Sequence, residues 1–193
     1  MDKKDIILAG VGGQGILSIA TVIGWAALDQ NLHLKQAEVH GMSQRGGDVQ
    51  SNLRLSRERI WSDLIPKGGC DLILSLEPME ALRYLPWLAP DGWIVTNTTP
   101  FVNIPNYPEM ADIHKELASV GRVVSVDCDA IAKEVGSPKS VNMVLLGASA
   151  SVMEIIDPEK LREGIAEVFA RKGEKIVEMN IAAFNAGLEA SKK

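Results

Sequence analysis

The order of apolar and polar residues along the chain predicts alternating strands and helices. Short apolar runs typical of buried strands lie at residues 6–9, 71–76, 93–97 and 123–127. Apolar residues recur three or four positions apart, as on one face of a helix, at residues 16–28, 80–85, 111–119, 130–135, 142–151, 161–169 and 177–188. This order predicts an α/β fold, a three-layer α/β/α sandwich in which helices cover both faces of a Rossmann-like, mostly parallel sheet.

One stretch departs from this order. Between residues 49 and 55, apolar and polar side chains alternate with a period of two, which predicts a strand with one solvated face. Residues 35–39 are a candidate for the strand before it, and residues 56–59 for a turn that leads into Ile60 and Trp61. A hairpin at this turn would add an antiparallel element to the sheet. We expect residues 1–193 to form a single domain, since this length suits one α/β unit.

Composition narrows the classes of function. Hydrophobic residues make up 46% of the chain, enough for a sizeable core, and the net charge of -5 argues against a general surface for nucleic acid or anionic membrane. We recognise no secretion signal and no apolar run that could cross a bilayer, so we expect a cytoplasmic protein without nucleic-acid or membrane partners. Cys70 and Cys128 are far apart and outside any metal-binding spacing, which predicts two free thiols and no metal site.

The first candidate binding motif follows the first predicted strand. Gly10, Gly12 and Gly15 have the GxGxxG spacing of a turn that joins a strand to a helix, and Gly13 and Gln14 lie inside it. The first glycine permits the tight bend, the second lets a ligand approach the backbone, and the third lets helix and strand pack closely. The free N–H groups at the helix start suit a phosphate. The motif alone leaves three alternatives open: a structural turn without ligand, a site for a diphosphate or other anion, and a dinucleotide site.

The second candidate motif, residues 38–47, is a polar loop that contains several glycines. Gly46 and Gly47 allow close approach of the backbone. Gln44 and Arg45 supply several hydrogen-bond donors, and a guanidinium suits a carboxylate or a phosphate. The loop therefore predicts contact with a partner chain or with an anion.

Glu38 and His40 admit other interpretations of the same loop. Glu38 lies near the position at which the acid of a dinucleotide site would bind a ribose. His40, two residues on, would share a face of an extended chain with Glu38 and could exchange protons with it. However, no nucleophile or metal ligand is spaced around His40, and an ion pair between Glu38 and Arg45 would equally shape the loop. We therefore assign no catalytic residue.

Together these segments resemble the gamma-type subunit of 2-oxoacid:ferredoxin oxidoreductases, and most of all the small subunit of the indolepyruvate ferredoxin oxidoreductases. The resemblance rests on the glycine turn and the 38–47 loop. It extends over residues 51, 54, 60–66, 71–80, 90–92, 142–143, 146–148 and 180–187 and so covers nearly the whole chain. The glycine turn is weakly specific by itself, whereas the joint pattern is strongly specific.

The resemblance implies a subunit of a larger enzyme. Such enzymes oxidatively decarboxylate a 2-oxoacid, here indolepyruvate or another aryl pyruvate, to an acyl-coenzyme A and pass the electrons to ferredoxin. A large partner subunit would carry thiamine diphosphate, Mg²⁺ and iron–sulfur clusters, and this chain alone would hold no cofactor. The edge facing that active site and coenzyme A would be formed by Gly10, Gly12, Gly13, Gln14, Gly15, Gln44, Arg45, Gly46 and Gly47.

Three functions compete at this point. The leading one is the small subunit just described, which would complete the active site and be inactive by itself. A stand-alone NAD(P)-dependent Rossmann enzyme would use the same glycine turn, but no catalytic set stands out in the second half of the chain. An interaction domain without a small ligand is the third. The loop at 44–47 favours the first.

Overall fold

The structure, a computed structural model, describes residues 2–40 and 46–192. The strands are β1 (Lys3–Val11), β2 (His33–His40), β3 (Asp48–Ser56), β4 (Cys70–Ser75), β5 (Leu88–Asn97) and β6 (Val123–Val126). The helices are α1 (Ile16–Asp29), α2 (Pro78–Arg83), α3 (Met110–Ser119), α4 (Cys128–Glu134), α5 (Val141–Met153), α6 (Pro158–Phe169) and α7 (Glu174–Ala190). No helix in the described ranges is long and apolar enough to span a bilayer.

The strands form one mixed sheet in the order β2-β3-β1-β4-β5-β6. The strands β1, β4, β5 and β6 run parallel to one another, and β3 is antiparallel to both of its neighbours. The predicted mostly parallel sheet with an antiparallel element is therefore confirmed. The predicted position of the hairpin was wrong. The strand β3 pairs with β2, which precedes it in the chain, and not with residues 60–61, which follow it.

A buried ion pair explains why the chain leaves the sheet after β3. The Arg54 guanidinium binds both carboxylate oxygens of the buried Asp5, at 2.8 and 3.1 Å. Arg54 Nη1 donates to the backbone carbonyls of Ser62 and Leu64, each at 3.1 Å. These bonds tie residues 62–64 to the pair of Arg54 and Asp5, and the chain forms no further strand between β3 and β4. Trp61 lies on this segment and is 78% exposed.

Helices cover both faces of the sheet, as predicted for a three-layer sandwich. Along β1, Ile6 and Leu8 point to one face, whereas Ile7 and Ala9 point to the other, the alternation of a strand buried on both sides. The first face carries the larger core, beneath α1, α4, α5, α6 and α7. The second carries a smaller core beneath α2 and α3. The glycine turn lies at the carboxyl end of β1, between these layers.

Helices α5 and α7 pack closely where a glycine of each helix meets the backbone of the other. A Cβ atom at Gly147 would lie 1.9 Å from the carbonyl oxygen of Phe184, and one at Gly187 would lie 1.9 Å from that of Val144. Both distances are far inside van der Waals contact, so only glycine permits this approach of the two backbones. The glycine and alanine residues of α5 thus suit close packing against a neighbouring helix. The contact joins the last turns of α7 to the amino half of α5.

Candidate functional site

The glycine turn joins β1 to α1 in four residues. Gly13 and Gly15 have φ angles of +101° and +90°, which residues with a side chain rarely adopt. The amide N–H of Gln14 donates to the Val11 carbonyl at 3.1 Å and closes the turn. Gly15 is the residue before α1, and no side chain of the described residues caps the first N–H groups of this helix.

The side chain of Gln14 fastens this turn to the neighbouring strand. Its Oε1 accepts a hydrogen bond from the Val11 N–H at 2.7 Å, and its Nε2 donates to the Leu76 carbonyl at 3.3 Å. A Cβ atom at Gly10 would lie 2.7 Å from Oε1, so Gly10 makes room for this amide. The Gln14 side chain is thus used within the chain, and its contact with a ligand stays a prediction.

Gly15 makes room for a helix distant in sequence. A Cβ atom there would lie 2.6 Å from Nδ2 of Asn142, which donates to the Gly15 carbonyl at 3.2 Å. Asn142 is 8% exposed and belongs to the first turn of α5. The expectation that Gly15 serves the packing of α1 on a strand was wrong, because the close neighbour is the amino end of α5. This contact brings the amino ends of α1 and α5 together.

The structure places the end of the second candidate loop directly beside the glycine turn. The N–H of Gly12 donates to the Gly47 carbonyl at 2.8 Å, and the N–H of Gly46 donates to the Gly12 carbonyl at 3.4 Å. The Asn103 amide also donates to the Gly46 carbonyl, at 2.8 Å. Gln44 and Arg45 lie outside the described residues, so their predicted ligand contacts stay predictions.

The order of the strands argues against the dinucleotide alternative. In a dinucleotide-binding Rossmann fold, the strand that bears the ribose-binding acid lies next to the strand that ends in the glycine turn. Here β3 lies between β1 and β2, and Glu38 on β2 is paired with Ser51 of β3. Two strand spacings, roughly 9–10 Å, therefore separate the backbone of Glu38 from that of β1. Glu38 does not occupy the position of a ribose-binding acid.

A cavity of about 530 Å³, called here the glycine-loop cavity, opens beside the turn. Its wall combines the glycine turn, the amino ends of α1 and α5, and the start of α7. The lining residues are Gly13, Gln14, Gly15, Ser18, Ser137, Pro138, Lys139, Ser140, Asn142, Phe169, Lys172, Ile176, Met179 and Asn180. Two lysines and no carboxylate stand among these described residues, so the cavity favours an anion. Its apolar part, around Phe169 and Met179, suits a flat apolar or aromatic group.

A smaller cavity of about 260 Å³ adjoins the first and shares Gln14 and Lys139 with it. It lies at the carboxyl ends of β4 and β5, where open α/β sheets bind ligands. Asn97 connects its walls, since Nδ2 donates to the Asp129 carboxylate at 2.9 Å and Oδ1 accepts from the Cys128 N–H at 3.1 Å. Its polar groups are thus held in fixed positions.

Sequence reasoning missed the two lysines of this site. The basic residues around Lys172 indicate no more than a solvated helix end, and Lys139 belongs to neither candidate motif. Both side chains are exposed and line the glycine-loop cavity. The nearest signal in the sequence was the position of Lys139, two residues before α5, because a cation at a helix start adds to the positive end of the helix dipole.

The two cysteines are not placed to bind a metal together. Cys70 is packed in the smaller core and Cys128 in the larger one, on opposite faces of the sheet. Burial raises the pKa of the Cys70 thiol to about 12 and raises that of Cys128 as well, so both remain protonated at neutral pH. Within residues 2–40 and 46–192, no three His, Cys, Asp or Glu side chains are grouped as metal ligands.

Comparisons with known proteins place the whole chain in one group. The sequence model of the pyruvate ferredoxin/flavodoxin oxidoreductase family matches residues 5–190. The indolepyruvate oxidoreductase subunit IorB of Thermococcus kodakarensis is 35% identical over 100% of this chain and 98% of its own length. The pyruvate oxidoreductase subunit PORC of Thermotoga maritima superposes with a TM-score of 0.75 at 20% identity, over 98% of this chain and 97% of that one.

A longer protein contains the same fold. The 2-oxoglutarate:ferredoxin oxidoreductase of Magnetococcus marinus, solved with 2-oxoglutarate, coenzyme A and succinyl-CoA bound, superposes with a TM-score of 0.77 at 22% identity. The match covers 100% of this chain but only 31% of that one. At this identity the superposition demonstrates the fold alone.

Proposed function

This chain belongs to the pyruvate ferredoxin/flavodoxin oxidoreductase family, and we propose its function from that premise. It is a small subunit of a 2-oxoacid:ferredoxin oxidoreductase. The complex would oxidatively decarboxylate indolepyruvate, or another aryl 2-oxoacid, to the acyl-coenzyme A and pass the electrons to ferredoxin. The observation that carries this proposal is the 35% identity to an indolepyruvate oxidoreductase subunit along the full length of both chains.

The chemistry would reside in a larger partner subunit. Thiamine diphosphate supplies the carbanion that attacks the oxo group in such reactions, and iron–sulfur clusters carry the electrons away. A cluster does not suit this chain, because its two buried, protonated thiols lie on opposite faces of the sheet. We therefore propose a thiamine- and cluster-bearing partner, and the cytoplasm as the location of the complex.

The role of this chain in the complex would be to bind coenzyme A at the glycine-loop cavity. The diphosphate and 3′-phosphate of coenzyme A carry several negative charges, and the cavity offers two helix amino ends together with Lys139 and Lys172. The apolar wall around Phe169 and Met179 suits the adenine ring. Gly12 and Gly13 would let the phosphates approach the backbone, and Gly46 and Gly47 would form the opposite rim.

The activity is tested by reconstitution. The chain is purified alone and together with its presumed partner, and ferredoxin reduction is followed with several 2-oxoacids, with and without coenzyme A. We expect turnover only with both subunits, a strict requirement for coenzyme A, and the highest kcat/KM with indolepyruvate. Turnover by this chain alone, or turnover that depends on NAD(P) and not on ferredoxin, would refute the proposal.

Charge removal at the cavity tests the place of coenzyme A. Lys139→Gln and Lys172→Gln should each raise the KM for coenzyme A roughly tenfold or more, since each removes a charge-assisted phosphate contact of about 1.5–3 kcal/mol. Lys133→Gln is the matched control, because Lys133 is an exposed lysine of α4 outside the cavity lining. Equal KM values in the three variants would place coenzyme A elsewhere.

A further inference from the structure

Glu77 is a fully buried carboxylate between β4 and α2. It is the residue before α2, and its Oε2 accepts the N–H of Glu80 at 2.8 Å, as the side chain of an N-cap does. Aspartate, asparagine and serine are the residues preferred at this position, since their shorter side chains reach the same N–H group. The longer glutamate indicates a second task beyond capping.

The second carboxylate oxygen binds a different part of the chain. Glu77 Oε1 accepts a hydrogen bond from the backbone N–H of Phe101 at 3.3 Å and another from the hydroxyl of Tyr107. Burial first, and then the bond to Glu77, raise the pKa of the Tyr107 hydroxyl, so it stays a donor at any physiological pH. One buried carboxylate thus fixes two points, six residues apart, of a segment without helix or strand.

This clamped segment, residues 99–108, borders both parts of the candidate site. Thr99, Pro100 and Phe101 line the smaller cavity beside Gln14 and Lys139. Asn103 donates to the Gly46 carbonyl at 2.8 Å, and Gly46 is in turn bonded to Gly12. A continuous series of contacts therefore runs from Glu77 through the clamped segment to the glycine turn.

We propose that Glu77 is a positioning residue, which holds the clamped segment against the glycine turn and so sets the shape of the coenzyme A site. This inference rests on the proposed function. Glu77 itself is buried and lies outside the lining of both cavities, so it does not touch the ligand. It acts through Phe101 and Tyr107, whose segment lines the smaller cavity and is bonded through Gly46 to the glycine turn that borders the glycine-loop cavity.

The variant Glu77→Asp separates the two tasks of this side chain. Aspartate retains the cap of α2, for which it is a preferred residue, but its carboxylate is one methylene shorter and cannot also reach Phe101 and Tyr107. Tyr107→Phe removes a single donor from the clamp and leaves the cap untouched. Glu80→Asp is the matched control, because Glu80 is equally buried on the same helix and binds Arg83 without contacting the clamped segment.

The first readout is amide hydrogen exchange of the full-length chain. Glu77→Asp should speed exchange of the hydrogen-bonded amides of Phe101, Gly12 and Gly46 by roughly tenfold or more, and Tyr107→Phe should do so to a smaller extent. Exchange within α2 should be unchanged in both. Faster exchange in α2 alone, or the same pattern in Glu80→Asp, would mean that Glu77 only caps the helix.

The second readout is the kinetics of the reconstituted complex. We expect the KM for coenzyme A to rise about tenfold in Glu77→Asp, with kcat and the KM for the 2-oxoacid within about twofold of the parent. An unchanged KM for coenzyme A together with faster segment exchange would overturn the positioning role. If the parent complex needs no coenzyme A, the proposed function fails, whereas the exchange experiment still decides whether the clamp exists.

Discussion

Two groups of glycines in this chain serve opposite physical purposes. At the α5–α7 crossing, Gly147 and Gly187 are required because a Cβ atom would strike a carbonyl oxygen at 1.9 Å. At Gly13 and Gly46, no described atom lies within 4 Å of the place that a Cβ atom would take, and the requirement comes from φ angles of +101° and +78°. The first group removes side-chain volume so that two helices can touch. The second gives the backbone freedom and leaves space beside it.

The comparison shows that the site depends on both groups. The helix contact packs the last turns of α7 on α5, and the start of the same helix lines one side of the glycine-loop cavity. The open glycines leave the other side accessible to a ligand. We therefore expect substitutions in the first group to affect stability and substitutions in the second to affect ligand binding more than stability.

The largest effect is expected for Gly147→Ala. The new methyl group cannot coexist with the Phe184 carbonyl, so α5 and α7 must separate at a cost of about 3–5 kcal/mol in the free energy of unfolding. Unfolding in denaturant measures this loss in the free energy of unfolding. Gly24→Ala in α1 is the matched control, since its Cβ would meet only the flexible end of Leu34 at 3.3 Å. That change should be neutral or stabilising by up to about 1 kcal/mol. Equal effects of the two would refute the steric account.

Gly15→Ala should have an intermediate effect, because Gly15 belongs to both groups. It has a φ of +90°, and its Cβ would displace the Asn142 amide from 2.6 Å. We expect a loss of about 2–3 kcal/mol, the sum of backbone strain and one hydrogen bond. The double variant with Asn142→Ala should cost less than the sum of the single changes, since both act on the same contact. Additive costs in thermal unfolding would contradict this assignment.

Gly13→Ala should reduce stability by only about 1–2 kcal/mol, the strain of its positive φ. Gly13→Asn should cost less, because asparagine tolerates this region better. In the reconstituted complex, both side chains would stand where the phosphates approach, so the KM for coenzyme A should rise by more than the stability loss alone explains. An unchanged KM would place Gly13 with the structural glycines.

The smallest effect is expected for Gly46→Asn. Its φ of +78° is close to the left-handed region that asparagine adopts, and no atom of the described residues lies within 4 Å of the added carbon. The change should cost less than about 1 kcal/mol in thermal unfolding. A loss above about 2 kcal/mol would exceed the backbone strain and mean that the loop end is packed and not open.

The sequence predicted those parts of the fold that depend on local patterns. The spacing of apolar residues identified the helices, and the apolar runs identified the buried strands. It did not predict the course of the chain after β3. That course depends on the bond of Arg54 to Asp5, 49 residues away, for which the sequence carries no local signal.

The candidate site was likewise predicted only where its residues form a local pattern in the sequence. The glycine turn and the end of the second loop were identified, and the structure brings Gly12 and Gly47 into contact. Lys139 and Asn142 were missed as site residues, because only the packing of α5 brings them to the turn. Glu77 was also missed, although a glutamate before Pro78, where a shorter residue caps better, is a readable signal.

The insertion of β3 between β2 and β1 has a consequence for the order of folding. The β2–β3 hairpin pairs residues as close as His40 and Val49, nine positions apart (49 − 40), whereas β1 pairs Lys3 with the distant Ser56. Short loops close with less loss of chain entropy than long ones, so we expect the hairpin to form first and to dock on β1 as a unit. Since Gly46 and Gly47 lie at its end, the contact with Gly12 is completed only in that docking step.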